Sequence, residues 1–192
     1  RLFLSPWVVL LNFLKKMKSK YFKIFIIIFF MFSFFIFYYG LKKKNLYTTE
    51  NVGTQKFPNL ILNEFFTNKQ TSFDNILIDS NYYLVNIWSS WCLPCRDEHT
   101  YLIQLKKNSS VKIIGINYKD KKNNAIKFLE EFGSPYAYIL NDNDGTASIE
   151  IGAYGVPESF ILNKNKEIVK KIIGPIDKKE FENVLKITKN EN

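Results

Sequence analysis

From Ile24 to Leu41 the chain carries no charged residue, in a run dominated by Phe and Ile. These eighteen residues would span about 27 Å as a helix, close to the hydrocarbon thickness of a bilayer. Lysines flank both ends, and Tyr38-Tyr39 falls near the far interface, where amphipathic rings are favoured. A cleaved signal peptide would have a shorter apolar core with small residues before the cut. Phe37-Tyr38-Tyr39-Gly40-Leu41 offers no A-x-A-like site, so the run reads as an uncleaved transmembrane anchor over 24–41. Five lysines precede it and three follow, a bias that places the N-terminal segment, 1–23, in the cytoplasm and the rest outside. The apolar stretch from Leu2 to Leu14 is short and broken by Ser5-Pro6 and Asn12; no function is assigned to it. Met17-Lys18-Ser19-Lys20 has the form of an ordinary start.

Beyond the anchor the pattern changes. Residues 42–55 are polar without apolar periodicity and read as a linker, leaving 56–192 for one folded domain. Phe57 to Leu62 is expected as a strand, 63–81 as short strands and turns, and Tyr82 to Trp88 as a central strand. A helix follows from Pro94 to Lys107. Val111 to Asn117 is almost continuously apolar, the pattern of a strand buried on both faces. Asn124 to Phe132 is an amphipathic helix stopped by Gly133-Ser134-Pro135, and Ala137 to Leu140 a short strand. Asn141-Asp142-Asn143-Asp144-Gly145 resembles a calcium loop, but lacks the glutamate at the required spacing and reads as a surface turn. Ser159–Leu162 and Glu167–Ile173 flank a turn and suggest a hairpin, and Asp177 caps a last helix to about Thr188. The order is that of an α/β fold with a mixed sheet flanked by helices.

Charge sharpens this division. Of a formal net charge of +9, residues 1–50 hold +8 and the remaining 142 residues only +1. The basicity lies beside the apolar run, which argues for a membrane surface and against nucleic acid. Both cysteines of the chain sit in one motif, Trp91-Cys92-Leu93-Pro94-Cys95, leaving no thiol for a disulfide framework or a closed zinc site. Two thiols at this spacing, after a buried strand and at the start of a helix, can close into a disulfide and reopen, and the helix N-terminus favours a thiolate on the first. An incidental CxxC is the plain alternative.

The segment Leu84-Val85-Asn86-Ile87-Trp88-Ser89-Ser90-Trp91-Cys92-Leu93-Pro94-Cys95-Arg96-Asp97-Glu98-His99 resembles the active site of the CcmG/DsbE family. These are membrane-anchored, thioredoxin-like thiol:disulfide interchange proteins of cytochrome c maturation. Gly115-Ile116-Asn117-Tyr118-Lys119-Asp120 and Gly152 to Phe160 add to the likeness, which covers about residues 55–175. The resemblance implies a thioredoxin-like fold and a disulfide reductase in the periplasm, held at the inner membrane. Its partners would be apocytochrome c or the haem-ligation machinery, with a membrane thiol-disulfide transporter as electron donor. A monomer without cofactor, beyond the Cys92–Cys95 disulfide, is expected.

Thiol chemistry read onto these positions makes Cys92 the more exposed nucleophile and Cys95 the resolving thiol. Pro94 tunes the motif, and Trp91, Tyr154 and Val156 line the docking surface. The resemblance implies a cis peptide bond at Pro157, packed against the cysteines, with the neighbouring backbone holding an extended substrate. Many thioredoxins carry a buried Asp six residues before the first cysteine, where this chain has Asn86. An amide cannot take up a proton, so family likeness points to Glu98 and Glu158 as the catalytic acids. The alternatives are a solvated helix glutamate and a surface charge. His99 with the two cysteines lacks a fourth metal ligand, so no metal is expected, and Trp88 is given a core role. Rival readings are a general periplasmic disulfide reductase or oxidase, a redox-sensing docking module without turnover, and a peroxidase.

Overall fold

The structure, a computed structural model, describes residues 19–42 and 55–189. The chain divides after residue 48 into two units. In the first, helix α1 (Ser19–Lys42) contains the whole uncharged run. Its segment Tyr21–Tyr39 is long and apolar enough to cross a membrane, and none of it is buried, so α1 fits a membrane anchor. The expectations for residues 1–18 and for the linker up to residue 54 lie outside the described residues.

The second unit is built on a mixed sheet. Strands β1 (Ile61–Glu64) and β2 (Gln70–Ser72) form a short antiparallel pair, followed by one turn of helix, α2 (Phe73–Ile76). Then come β3 (Tyr82–Trp88), α3 (Leu93–Asn108), β4 (Lys112–Tyr118), α4 (Lys122–Phe132) and β5 (Tyr138–Asp142). The chain ends in α5 (Thr146–Glu150), β6 (Glu158–Asn163), β7 (Ile168–Ile173) and α6 (Lys178–Lys189). The spatial order is β2-β1-β5-β4-β3-β6-β7, with β3, β4 and β5 parallel and the other pairings antiparallel. The helical crossovers α3 and α4 are what parallel neighbours require.

Every residue of β3 is buried, because helices cover both faces of the sheet's centre. Alternation assigns the faces. Tyr82, Leu84 and Trp88 join the core that contains both cysteines, with Leu102 and Leu105 of α3, Phe128 of α4 and Val184 of α6. Tyr83, Val85 and Ile87 face the opposite core, with Phe73 and Ile76 of α2 and Ile151 after α5. By the period of two, Asn86 belongs to the cysteine face. Its neighbours there are Ser159 of β6 and Gly115 of β4, each in direct register with it.

Two expectations are corrected. The first strand begins at Ile61 instead of Phe57; Phe57 is buried, and its N–H bonds to the Lys166 carbonyl beside the β6–β7 turn. The turn at 141–145 runs on into α5, which was not anticipated. Asp142 is buried at the end of β5, and its carboxylate accepts the amides of Ala147 and Ser148 and the Ser148 hydroxyl. A carboxylate at a helix start neutralises otherwise unpaired N–H groups, so this acidic residue serves as a cap.

Gly115 is required for packing. A Cβ there would lie 2.8 Å from Trp88 Nε1 and 2.9 Å from ring carbons of Tyr136. Gly115→Ala is therefore expected to destabilise the domain by about 1–3 kcal/mol, read by urea unfolding.

Candidate active site

At the C-terminal end of β3 the chain turns through Ser89-Ser90-Trp91 into α3. Cys92 is the N-cap of α3, in extended conformation, and its Sγ accepts the Cys95 amide at 3.1 Å. Pro94 stands in the first turn, where an amide hydrogen would have no helical partner. Cys92 and Cys95 form a disulfide, with Cα atoms 5.3 Å apart. Cys92 was expected to be the more exposed thiol; in this oxidised state both residues are buried, at 4% and 2%. The flanking Trp91 and Leu93 project outward, 58% and 70% exposed.

A second segment clamps the turn before Cys92. Asp120 accepts the Ser90 amide at 2.6 Å and the Ser90 hydroxyl at 2.8 Å, and Asn117 donates to the same carboxylate. Trp91 Nε1 donates to the Lys119 carbonyl, and the Ser89 hydroxyl to that of Tyr118. This accounts for Asn117-Tyr118-Lys119-Asp120 accompanying the cysteine motif: β3 and β4 are parallel neighbours, so their C-terminal loops meet. Asp120 was not among the expected site residues.

A third segment enters beside β3 from β6. The Val156–Pro157 peptide bond is cis, as the resemblance implied. Pro157 is buried, Val156 packs half-buried against the core that holds the cysteines, and Tyr154 is exposed. Glu158 was offered as an acid or a surface charge, and it is not on the surface. Its Oε1 accepts the amides of Tyr154 at 2.7 Å and Gly155 at 3.0 Å, and Oε2 lies 2.9 Å from Lys171 Nζ. Lys171 also donates to the Gly152 carbonyl and sits 3.9 Å from the centre of the Tyr154 ring. Glu158 and Lys171 thus fasten the 152–157 loop from beneath, a positioning task. Lys171, on the neighbouring strand β7, went unanticipated.

Glu98 lies one turn after Cys95 and is 1% exposed. Its Oε1 accepts from Asn86 Nδ2 and its Oε2 from the Ile176 amide, both at 2.8 Å. Burial pushes its carboxyl up to about 7, opposed by the Ile176 and Asn86 hydrogen bonds. The solvated-glutamate alternative is therefore corrected, because the chain leading into α6 covers this face of α3. His99, also buried, has its Nε2 2.8 Å from the Gly133 carbonyl, and burial lowers its pKa. As a neutral ring donating to that carbonyl, it ties α3 to the end of α4. Trp88 stacks on Tyr136 in the core.

Sheet order, crossovers and a disulfide at the head of α3 define a class: a thioredoxin-like thiol–disulfide oxidoreductase domain. The comparisons agree. The redoxin family model matches residues 53–186, and the chain belongs to that family. Over 140 residues it is 36% identical to the thiol:disulfide interchange protein DsbE of Allochromatium vinosum, covering 73% of this chain and 77% of that protein. It is 49% identical over 92 residues to the thiol:disulfide interchange protein CycY of Rhizobium leguminosarum bv. viciae, covering 48% of this chain and half of that one. With DsbE of Escherichia coli the identity is 38% over 112 residues, 58% of this chain and 60% of that protein. Two of these three matches thus span only half to three-fifths of the relative's length. Solved structures share the fold. A secreted thiol-disulfide isomerase from Corynebacterium glutamicum superposes with a TM-score of 0.63 at 18% identity, over 76% of this chain and 92% of that one. A DsbF homologue from Corynebacterium diphtheriae gives 0.62 at 19%, over 73% and 91%.

Two measurements follow from the buried charges. Because the folded Glu98 carboxyl titrates near 7 against an ordinary 4.5, the unfolded chain releases its proton first as pH rises. Relative to Glu98→Gln, the wild type should lose about 3 kcal/mol of stability between about pH 4.5 and 7 and level off above, in urea titrations across that range. A flat difference would mean that the carboxyl titrates as in a free peptide. Lys171→Met leaves the Glu158 carboxylate buried without its cation and should cost about 3–5 kcal/mol, partly recovered by adding Glu158→Gln.

Proposed function

We propose that this protein is a membrane-anchored thiol:disulfide oxidoreductase whose domain faces the periplasm from the inner membrane and acts as a disulfide reductant in cytochrome c maturation. The observation that carries the reading is the Cys92–Cys95 disulfide at the head of α3, flanked by exposed Trp91, Leu93 and Tyr154. A mobile bond at a helix N-terminus, ringed by apolar contact surface, suits exchange with a peptide disulfide better than it suits a structural staple.

In the reduced protein, the Cys92 thiolate attacks one sulfur of the substrate disulfide. That S–S bond breaks, the leaving thiolate takes a proton, and a mixed disulfide with Cys92 remains. The Cys95 thiol then passes its proton to the Glu98 carboxylate, and its sulfur attacks Cys92 Sγ. The second substrate thiolate leaves and is protonated. Two electrons have moved to the substrate, and the Cys92–Cys95 disulfide is restored. A carboxyl that titrates near neutrality is matched to receive and return that proton. Val156 and Pro157 would hold the substrate as an added strand while Trp91 and Tyr154 pack on its side chains. Such a reductant needs a dedicated donor in an oxidising compartment, which the family likeness supplies as a membrane thiol-disulfide transporter. The substrate in this reading is the CxxCH disulfide of apocytochrome c, or its mixed disulfide with the haem-ligation machinery.

Cys95→Ala should accumulate mixed disulfides in cells that disappear when Cys92→Ser is added. The reduced full-length protein should reduce an oxidised CxxCH peptide at least about tenfold faster than an unrelated peptide disulfide, a margin that corresponds to one modest binding contact. Equal rates on both would make it a general reductase. Absence of any trapped partner would remove the catalytic reading altogether.

A further inference from the structure

One row of residues runs across the cysteine face of the sheet: Ser159 of β6, Asn86 of β3 and Gly115 of β4, in register. The missing side chain at Gly115 leaves room for the ring of Tyr136, which stacks on Trp88 at 5.3 Å. From there its hydroxyl lies 2.9 Å from Asn86 Oδ1, and the residue is buried. Asn86 Nδ2 donates to Glu98 Oε1 at 2.8 Å and to Ser159 Oγ at 3.0 Å.

An amide has one acceptor end and one donor end, and exchanging them alters every bond it makes. With Tyr136 donating to the oxygen, both N–H groups of Asn86 point at Glu98 and Ser159. In the opposite orientation the Asn86 oxygen would face the Glu98 carboxylate. That arrangement is repulsive when Glu98 is ionised and favourable when it carries a proton to donate. The Tyr136 hydroxyl would meanwhile lose its acceptor inside the core, a cost that buried donors rarely bear.

We propose that Tyr136 is a positioning residue of the exchange reaction: its hydroxyl holds the Asn86 amide donor-side toward Glu98, and so favours Glu98 as the carboxylate that accepts the Cys95 proton. The inference rests on the proposed proton transfer and adds the residue that orients it. Other titratable groups near this face are accounted for. On α3, Cys95 is the proton donor and His99 is committed to Gly133. Glu158 of β6, in register with Ile87, belongs to the opposite face and is paired there with Lys171 of β7. Lys170 of β7 pairs with Glu180 of α6, and Asp177 caps α6 by accepting the Glu180 amide.

The test uses the reduced full-length protein in detergent micelles, with 4,4′-dipyridyl disulfide in stopped flow. The first equivalent of thiopyridone reports attack by Cys92, and the second reports resolution by Cys95. In Tyr136→Phe the ring and its stacking remain, but Asn86 is free to turn its oxygen toward Glu98, which then holds its proton more tightly. The pH midpoint of the second phase should rise by roughly half a unit to one unit, the size of one lost hydrogen bond, with the first phase unmoved. In a Glu98→Gln background the same substitution should produce no shift. Tyr136→Leu, which also lacks the hydroxyl, should move the midpoint in the same direction. An unmoved midpoint, an equal slowing of both phases at every pH, or a shift that survives Glu98→Gln overturns the proposal. Absence of thiopyridone release from the wild-type protein would instead overturn the exchange reading beneath it.

Discussion

Pairing of β3 with β4 on one side and β6 on the other is the interaction on which the site depends. β3 carries no chemistry of its own at its C-terminal end, yet its two ladders fix where three separate segments finish. The parallel partner brings Asn117-Tyr118-Lys119-Asp120 to the same end as Ser89 to Cys92. The antiparallel partner begins there, so Ile87 pairs with Glu158 and the cis-proline loop lies alongside. A slip of one residue in either ladder would reverse the faces and move Asn86 out of the cysteine core.

That core is mostly apolar, and Glu98 of α3 meets a polar row of the sheet inside it. Placing an amide, a hydroxyl and a carboxyl beneath α3 is expensive unless each finds partners, and here each does. Glu98 is held by the Asn86 amide from the sheet and the Ile176 amide from the chain entering α6. Burial has been only partly offset, which leaves the carboxyl near the pH at which thiols exchange protons. In the proposed mechanism this network serves the proton transfer from Cys95. This links the fold's architecture to the order of proton and electron movement in the proposed mechanism.

Around the disulfide, polar groups lie beneath the surface and apolar ones lie on it. Asp120 holds the turn before Cys92, and the Glu158–Lys171 pair holds the loop before β6. Trp91, Leu93 and Tyr154 are left outward. Two clamped loops hold this aromatic surface outward, and in the proposed function that lowers the ordering cost of docking a peptide. Phe57 bonds at the other end of the sheet, beside the β6–β7 turn.

What local pattern alone determined was considerable. The uncharged run of α1, the seven residues of β3, the helices after the CxxC and before Gly133, and the hairpin that ends the sheet all follow from periods of two or about 3.6 and from stop residues. The redox pair was legible because its spacing and its strand–helix setting are contiguous in the chain. Tertiary structure decided the rest. Helix α5 exists because a buried Asp142 caps it, and periodicity does not reveal which carboxylate is buried. Whether Glu98 met water or the core depended on a segment 78 residues away, Tyr136 reaches Asn86 across 50, and Asp120 reaches Ser90 across 30. A polar side chain looks the same in sequence whether solvated or enclosed. Its partners, and with them its proton affinity, are set only when distant strands and loops close around it.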